Sequence, residues 1–353
     1  MSISSLTLSN FSRTTIQRVQ TQLADAQTEF NTGRHADVGR TLGYVTGNTI
    51  TYRAQESSLQ NMVDTNKLVA SRFTLMDNAL TSIRNNGDDY SKALINGTAT
   101  GTGVGSLIQT ATQGLQSVLG SANLSSGGQY LFSGTRSEVQ PVLSDTTAIT
   151  TLNGNLKTKF LTALGISDVS LAKSDDVKAY FSDAGLTQTV GGVSTTYKFS
   201  TDFDAEWATI ANTGGDVSTA QISKSETIET SISASSAPFK NTVAAYAMIG
   251  ALGIDQMGSD ARQALTTAAQ SKLTQGRDGI VKLQADIGVR QNRVAAANDL
   301  LTKQQDVVVA AYGRLENVDQ TEAGLLINQL KTQLDATFAV TGKLQNLSIL
   351  NYL

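Results

Sequence analysis

The residues able to do chemistry are few and poorly placed for it. His35 is the only histidine among 353 residues, and there is no cysteine. A lone histidine excludes a His-pair metal site. The absence of cysteine excludes disulfides and thiolate ligands. The stretch TGRHADVG puts no partner beside His35 that would make it a general base, so it reads as a loop residue. In STDFDAEW, Asp202, Asp204 and Glu206 alternate as calcium-loop ligands do. Trp207, however, stands where such a loop needs glycine, and Thr213 where it needs an acid. The three acids therefore read as the wet face of a strand, with Trp207 as a core anchor. Gly97, Gly101, Gly103 and Gly105 lack the Gly-Lys-Ser/Thr ending of a phosphate loop and read as a turn between helices. Asp88–Asp89 and Asp175–Asp176 sit in loop-like contexts, and adjacent residues do not share a helix face. The sequence assigns no catalytic, cofactor-binding or metal-ligating residue, and no cofactor.

The elements around these residues are more informative. A net charge of -3 and a pI near 5.3 imply neither a nucleic-acid partner nor a polybasic membrane surface. No stretch approaches the roughly 20 apolar residues of a membrane span. Aromatics make up only 6% of the chain and charged residues 16%, with small residues filling the remainder, a composition suited to long helices packed side by side. The start, MSISSLTLSNFSR, lacks a basic region followed by an apolar one, so no cleavable signal is expected.

Apolar residues recur at spacings of three and four in two arms. Ile16, Val19, Leu23, Ala26 and Phe30 form a first stripe, and Leu59, Met62, Val69, Phe73, Met76, Leu80 and Ile83 a second. Ile280, Leu283, Ile287, Val294, Leu301, Val308 and Leu315 form the matching stripe of the C-terminal arm. These are coiled-coil-like seams. Asn66, Arg290 and Gln304 are polar at seam positions, where they either control register or face solvent or another subunit. A single helix is expected from about Asp260 to about Leu315. Asp319 and Glu322 have a capping-box spacing that starts a last helix, with Leu326, Leu330, Leu334 and Phe338 four apart. The only prolines, Pro141 and Pro238, bracket a Thr-, Ser-, Val- and Gly-rich segment containing VSTTYKF, which reads as strand.

The expected fold is mainly α: a long antiparallel coiled-coil-like helical rod built from N- and C-terminal arms, with a β-containing inserted domain. Its segments are an N-terminal assembly segment, disordered or helical (1–45), the first half of the rod (46–140), a β-rich outer insertion (141–238), the second half of the rod (239–318) and a C-terminal assembly helix (319–353). The tail KLQNLSILNYL places Leu344, Leu347, Leu350 and Leu353 at a terminus, where chains are usually polar. Left wet, each would forgo roughly 1.5–3 kcal/mol of burial. With Leu6 and Phe11 near the start, they are expected to form an assembly interface.

Two stretches carry a resemblance. GGQYLFSGTRSEVQPV, Gly127 to Val142, resembles the hairpin that leads from the helical domain to the outer insertion in the flagellin family, with Tyr130, Leu131, Phe132 and Gly134 as its signature. LENVDQTEAGLLINQL…NLSILNYL, Leu315 to Leu353, is similar to the family's C-terminal ending, and closer to its hook-associated protein 3 branch than to filament flagellin. The likeness covers both arms and is absent from the insertion. NTGRHADVGRTLG keeps Gly33 and Arg34 of the family's pattern but lacks the acidic pair that many members place next. The resemblance implies a non-enzymatic junction protein between hook and filament, exported to the cell exterior without cleavage. Its implied partners are a homo-oligomeric ring of its own copies, a neighbouring hook-associated protein, flagellin and an export chaperone, with no nucleic acid and no membrane. The rival within the family is flagellin itself.

Overall fold

The computed structural model describes residues 5–99, 103–212 and 216–350, with side chains 5, 6, 8, 9, 97–99 and 344–350 left undescribed. It is mainly helical, with ten α-helices and three short hairpins among the described residues. Two compact units divide the chain: residues 1–63 with 299–353, and residues 64–298. Two helices run through both divisions, α3 (Thr46–Ala99) and α9 (Ser259–Glu316). At 1.5 Å per residue, the 58 residues of α9 extend about 87 Å.

The first unit holds two helix pairs. Helix α1 (Ser5–Thr32) contains no proline or glycine and stops at Gly33, whose φ of +67° suits a residue without Cβ. A short α2 (Val38–Leu42) follows, capped by the Asp37 side chain. Helix α10 (Gln320–Leu350) starts where Asp319 Oδ1 accepts the Thr321 amide at 2.7 Å. It pairs antiparallel with α1: Gln320 Nε2 donates to Phe30 O, and their small core joins Val19, Ala26 and Leu330, with Leu23, Ile327 and Leu334 packed against it. The start of α3 and the end of α9 form the second pair around Leu59, Val63, Leu301 and Val308, flanked by Tyr52, Met62 and Tyr312. Leu315 is half-buried.

The buried stripe of α10 differs from the expected one. Ala323 and Leu330 are buried and Ile327 and Leu334 partly so, whereas Leu326 and Phe338 are exposed. Four residues advance 400° around an α-helix, so a strict four-residue row walks off the face by 40° per step. Alternating threes and fours stay on it.

The second unit has one continuous core. It takes Val69, Phe73, Met76, Leu80 and Ile83 from α3, and Ile280, Ile287 and Val294 from α9, with Leu283 packed against them. Helices α4 (Val104–Ala122) and α8 (Ala237–Ala251) pack on each other and on this layer. Pro238 stands in the first turn of α8, where its missing N–H costs nothing. Alpha carbons at Gly276 and Gly279 let α8 come close: a Cβ on Gly276 would meet Thr242 Oγ1 at 2.3 Å, and one on Gly279 would meet Pro238 Cγ at 2.6 Å. The hairpin β1 (Ser125–Ser126) and β2 (Gln129–Tyr130) turns through Gly127 and Gly128, both at positive φ.

The segment between the prolines is more helical than expected. It contains α5 (Thr146–Leu164), α6 (Ser174–Phe181) and α7 (Phe199–Ile210). Its hairpins are β3 (Leu186–Val190) with β4 (Val193–Tyr197), and β5 (Thr219–Ser223) with β6 (Glu226–Glu229). VSTTY is indeed strand β4. STDFDAEW is not a strand but lies in α7, because Phe199, Phe203, Trp207 and Ile210 recur at helical spacing and are all buried. These aromatics join Phe160, Tyr180 and Phe181 in the same core that receives α3 and α9.

Phe73 and Met76 are fully buried in that core. Truncating Phe73→Ala should therefore cost about 3–5 kcal/mol and Met76→Ala about 2–5 kcal/mol. Urea unfolding followed by circular dichroism reads both, and wild-type midpoints would mean that these side chains do not pack.

Candidate assembly interface

Each helix of the α1–α10 pair buries one stripe and leaves other apolar residues in water. Phe11 is 69% exposed, Phe338 49% and Val340 56%. Phe30, Leu325 and Leu326 are exposed too. Isolated exposed apolar residues are ordinary, but three phenylalanines on one helix pair are a large unburied term at roughly 1.5–3 kcal/mol each. This pair is the candidate site. Phe11 belongs to it by exposure. The side chains of Leu6, Leu344, Leu347 and Leu350, and all of Leu353, lie outside the described residues.

The base of the pair is held by a carboxylate that the sequence reading missed. Glu316, at the end of α9, has a side chain only 2% exposed. Arg34 Nη2 approaches Glu316 Oε2 at 2.6 Å, and Arg53 Nε donates to Oε1 at 3.0 Å while its Nη2 contacts Oε2. Arg53 also lies over the Tyr312 ring at 5.0 Å. The Arg53 hydrogen bonds hold the Glu316 carboxyl below the usual carboxylate range against the cost of burial, and Arg34 adds to the effect. Backbone bonds complete the joint: His35 N donates to Glu316 O and Val318 N to Gly33 O, both at 2.9 Å. His35 does have a partner. Its Nδ1 lies 3.4 Å from Glu29 Oε1, six residues back across the turn, and that same oxygen accepts Ala36 N.

The YLFSG stretch is a junction inside the second unit. Leu131 and Phe132 are buried, Tyr130 is half-buried, and Gly134 takes φ +64°. Arg72 Nη2, from α3, donates to Tyr130 O at 3.0 Å and Leu131 O at 3.3 Å. Burial pushes the Arg72 pKa down. Phe132 packs edge-on against Phe239 of α8, with ring centroids 5.2 Å apart, and Phe132 O accepts Ala234 N. Three helical or loop segments meet on these few residues.

The acidic residues singled out by spacing are committed to other partners. Tyr180 Oη donates to Asp202 Oδ2 at 2.8 Å, and burial together with this bond pushes the tyrosine pKa up. Lys240 pairs with Asp204 at 2.8 Å. Lys159 pairs with Glu206 at 2.7 Å, and Asn155 Nδ2 donates to the same carboxylate at 2.8 Å. Burial pushes the Glu206 carboxyl up, but the Lys159 and Asn155 bonds outweigh it and leave the group below the usual range. Asp88–Asp89 lie inside α3, not in a loop, and pair with Arg277 and Lys92. Asp175 and Asp176 occupy the first turn of α6, where negative charge suits the helix dipole. Gly97 ends up within α3 and Gly103 caps α4. Among the described residues no group of three or more acidic or histidine side chains could hold a metal ion, and no helix is long and apolar enough to cross a membrane.

Long helices paired from opposite ends of the chain, with an insertion built into their core, define a mainly helical protein of the rod-building kind. Residues 3–137 match the bacterial flagellin N-terminal helical region, and residues 270–353 match the bacterial flagellin C-terminal helical region. The chain belongs to the flagellin family and is a structural component of the bacterial flagellum. Among solved structures, it is similar to a protein of Vibrio parahaemolyticus described as flagellar hook-associated, at 12% identity and a TM-score of 0.51. That match covers 77% of this chain and 97% of the other, and at this identity it speaks to the fold. No curated protein matches the chain.

The Lys159–Glu206 pair gives a pH-dependent prediction. Lys159→Ala leaves Glu206 buried without its cation and should cost about 2 kcal/mol at pH 7, less than for a fully buried pair because Lys159 is one-third exposed. A depressed carboxylate pKa contributes stability above the ordinary value and loses it as pH falls through the folded-state value. The gap between variant and wild type should therefore narrow on acidification, read as denaturation midpoints against pH. A constant gap would mean that Lys159 acts only through its packing.

Proposed function

We propose that this chain is the junction subunit of the flagellum, joining the hook-associated layer to the flagellin filament. What supports the reading is the resemblance of the ending Leu315–Leu353, which includes SILNYL, to the junction branch of the family. The hook-associated description of the Vibrio protein agrees in direction. On this reading, segments 1–45 and 319–353 are assembly segments. Copies form a ring through exposed apolar residues of α1 and α10, Phe11, Phe338 and Val340 among them, together with the tail and start residues Leu6, Leu344, Leu347, Leu350 and Leu353. Burial that one chain does not complete is completed between chains. The other partners are a neighbouring hook-associated protein, flagellin and an export chaperone, and the chain works outside the cell. It carries out no catalysis and engages neither nucleic acid nor membrane.

A second reading is the filament subunit, since the same exposed residues would serve a repeating contact equally well. Immunogold electron microscopy of intact flagella, with an antibody against 141–238, separates the two. A single band at the hook–filament boundary is expected, and gold along the shaft would assign the chain to the filament. Leu347→Asp or Leu350→Asp should yield a folded, secreted monomer that does not incorporate. Normal incorporation of either would remove the assembly role of the tail.

A further inference from the structure

The first unit contains two cores that do not merge. Val19, Ala26 and Leu330 form one, within the α1–α10 pair, and Leu59, Val63, Leu301 and Val308 the other, within the α3–α9 pair. No described residue belongs to both. Besides the chain itself, which passes between them at 33–45 and 317–319, a polar contact at Glu316 joins the pairs. Glu316, in α9, accepts from Arg34 in the loop after α1, and the backbone bonds His35 N to Glu316 O and Val318 N to Gly33 O cross the same place, while Arg53 of α3 holds the same carboxylate from within the α3–α9 pair. On the α1 side of this contact, Arg40 of α2 pairs with Asp25 of α1 at 2.9 Å.

A joint of this composition behaves differently from an apolar one. Apolar contacts are non-directional and tolerate sliding, while charge-assisted hydrogen bonds are either made or released. Here the arginines are 42% and 41% exposed, so water can take over their donors when they let go. The carboxylate is 2% exposed and is committed only in the closed arrangement. Release leaves both cores intact, because neither includes any of these side chains.

We propose that the Glu316 node is a latch between the two helix pairs of this unit, closed by Arg34 onto a carboxylate that Arg53 holds in place from within the α3–α9 pair, and that its release lets the α1–α10 pair reorient as a body while both pairs stay folded. The inference holds whether the chain sits at the junction or in the filament. The other groups facing the node are Thr49, Glu56 and Tyr312, and beyond the loop Glu29 with His35. Glu316 is the carboxylate held between the two cations, so its protonation is the one that would loosen them.

The chain has no cysteine, so a pair of engineered thiols is uniquely labelled. Gln20 on α1 and Gln55 on α3 are both exposed. With spin labels at Gln20→Cys and Gln55→Cys in the full chain, pulsed dipolar spectroscopy should give one narrow distance at neutral pH. Glu316→Gln should broaden or shift it with helical ellipticity unchanged. The unsubstituted node should show the same change as pH falls below the ordinary carboxylate range, while Glu316→Gln shows no acid transition and Glu29→Gln keeps it. An unchanged distance in Glu316→Gln, or a loss of ellipticity along with the distance, would overturn the latch. So would an acid response abolished by Glu29→Gln.

Discussion

The structure depends on helices from the two ends of the sequence pairing with each other. In the first unit, Phe30 meets Gln320, and Leu59 shares a core with Leu301. In the second, Asn66 meets Asn298, Gln284 reaches Asp77 and Thr81, Arg277 reaches Asp88, and Gln270 reaches Ser91. Within each unit the partners are nested: as one number rises, the other falls. Closing such pairs requires closing very long loops, and the entropic cost of closure grows only slowly with loop length. An insertion of α5–α7 and two hairpins is therefore tolerated between the arms, provided that it returns the chain to α8. The kinetic consequence is larger than the thermodynamic one, because non-local contacts of this kind slow folding.

Apolar seams alone would leave the alignment of such long helices loosely specified, and polar groups sharpen it. Asn66 is fully buried and donates to Asn298 Oδ1 at 2.9 Å and to Ile222 O, in β5, at 2.8 Å. Arg290 pairs with Glu229 of β6 at 2.6 Å, and Arg293 pairs with Glu226 at 2.8 Å. Two of the three polar seam positions thus hold the β5–β6 hairpin rather than only tuning helix register. Gln304, the third, is exposed. A slipped register would strip the buried Asn66 Nδ2 of both its acceptors, so these two bonds select one alignment.

What could be read from the sequence follows from how far each signal reaches. The α3 and α9 stripes are local patterns of three and four, and Leu59 through Ile83 appear in the structure as one helix. The overall fold class was legible for that reason, as was strand β4 from its Val and Thr content. STDFDAEW misled because its acids alternate at a period of two while Phe199, Phe203, Trp207 and Ile210 keep a helical period, and the acids drew the eye. The Glu316 node was illegible for a different reason. Its arginines lie 282 and 263 residues away in sequence, and no spacing rule connects them. The same holds for Arg72, which reaches backbone oxygens rather than side chains and so leaves no charge pattern to find.

On the proposal above, neighbouring copies complete the burial that the α1–α10 pair leaves unfinished. Hydrogen exchange compared between the purified monomer and the assembled flagellum tests it most directly. The account predicts that amides of α1 and α10 gain strong protection on assembly while those of the exposed β3–β4 hairpin change little. Equal exchange of α1 and α10 in the two states would contradict it, since the phenylalanines they expose would then have found no partner.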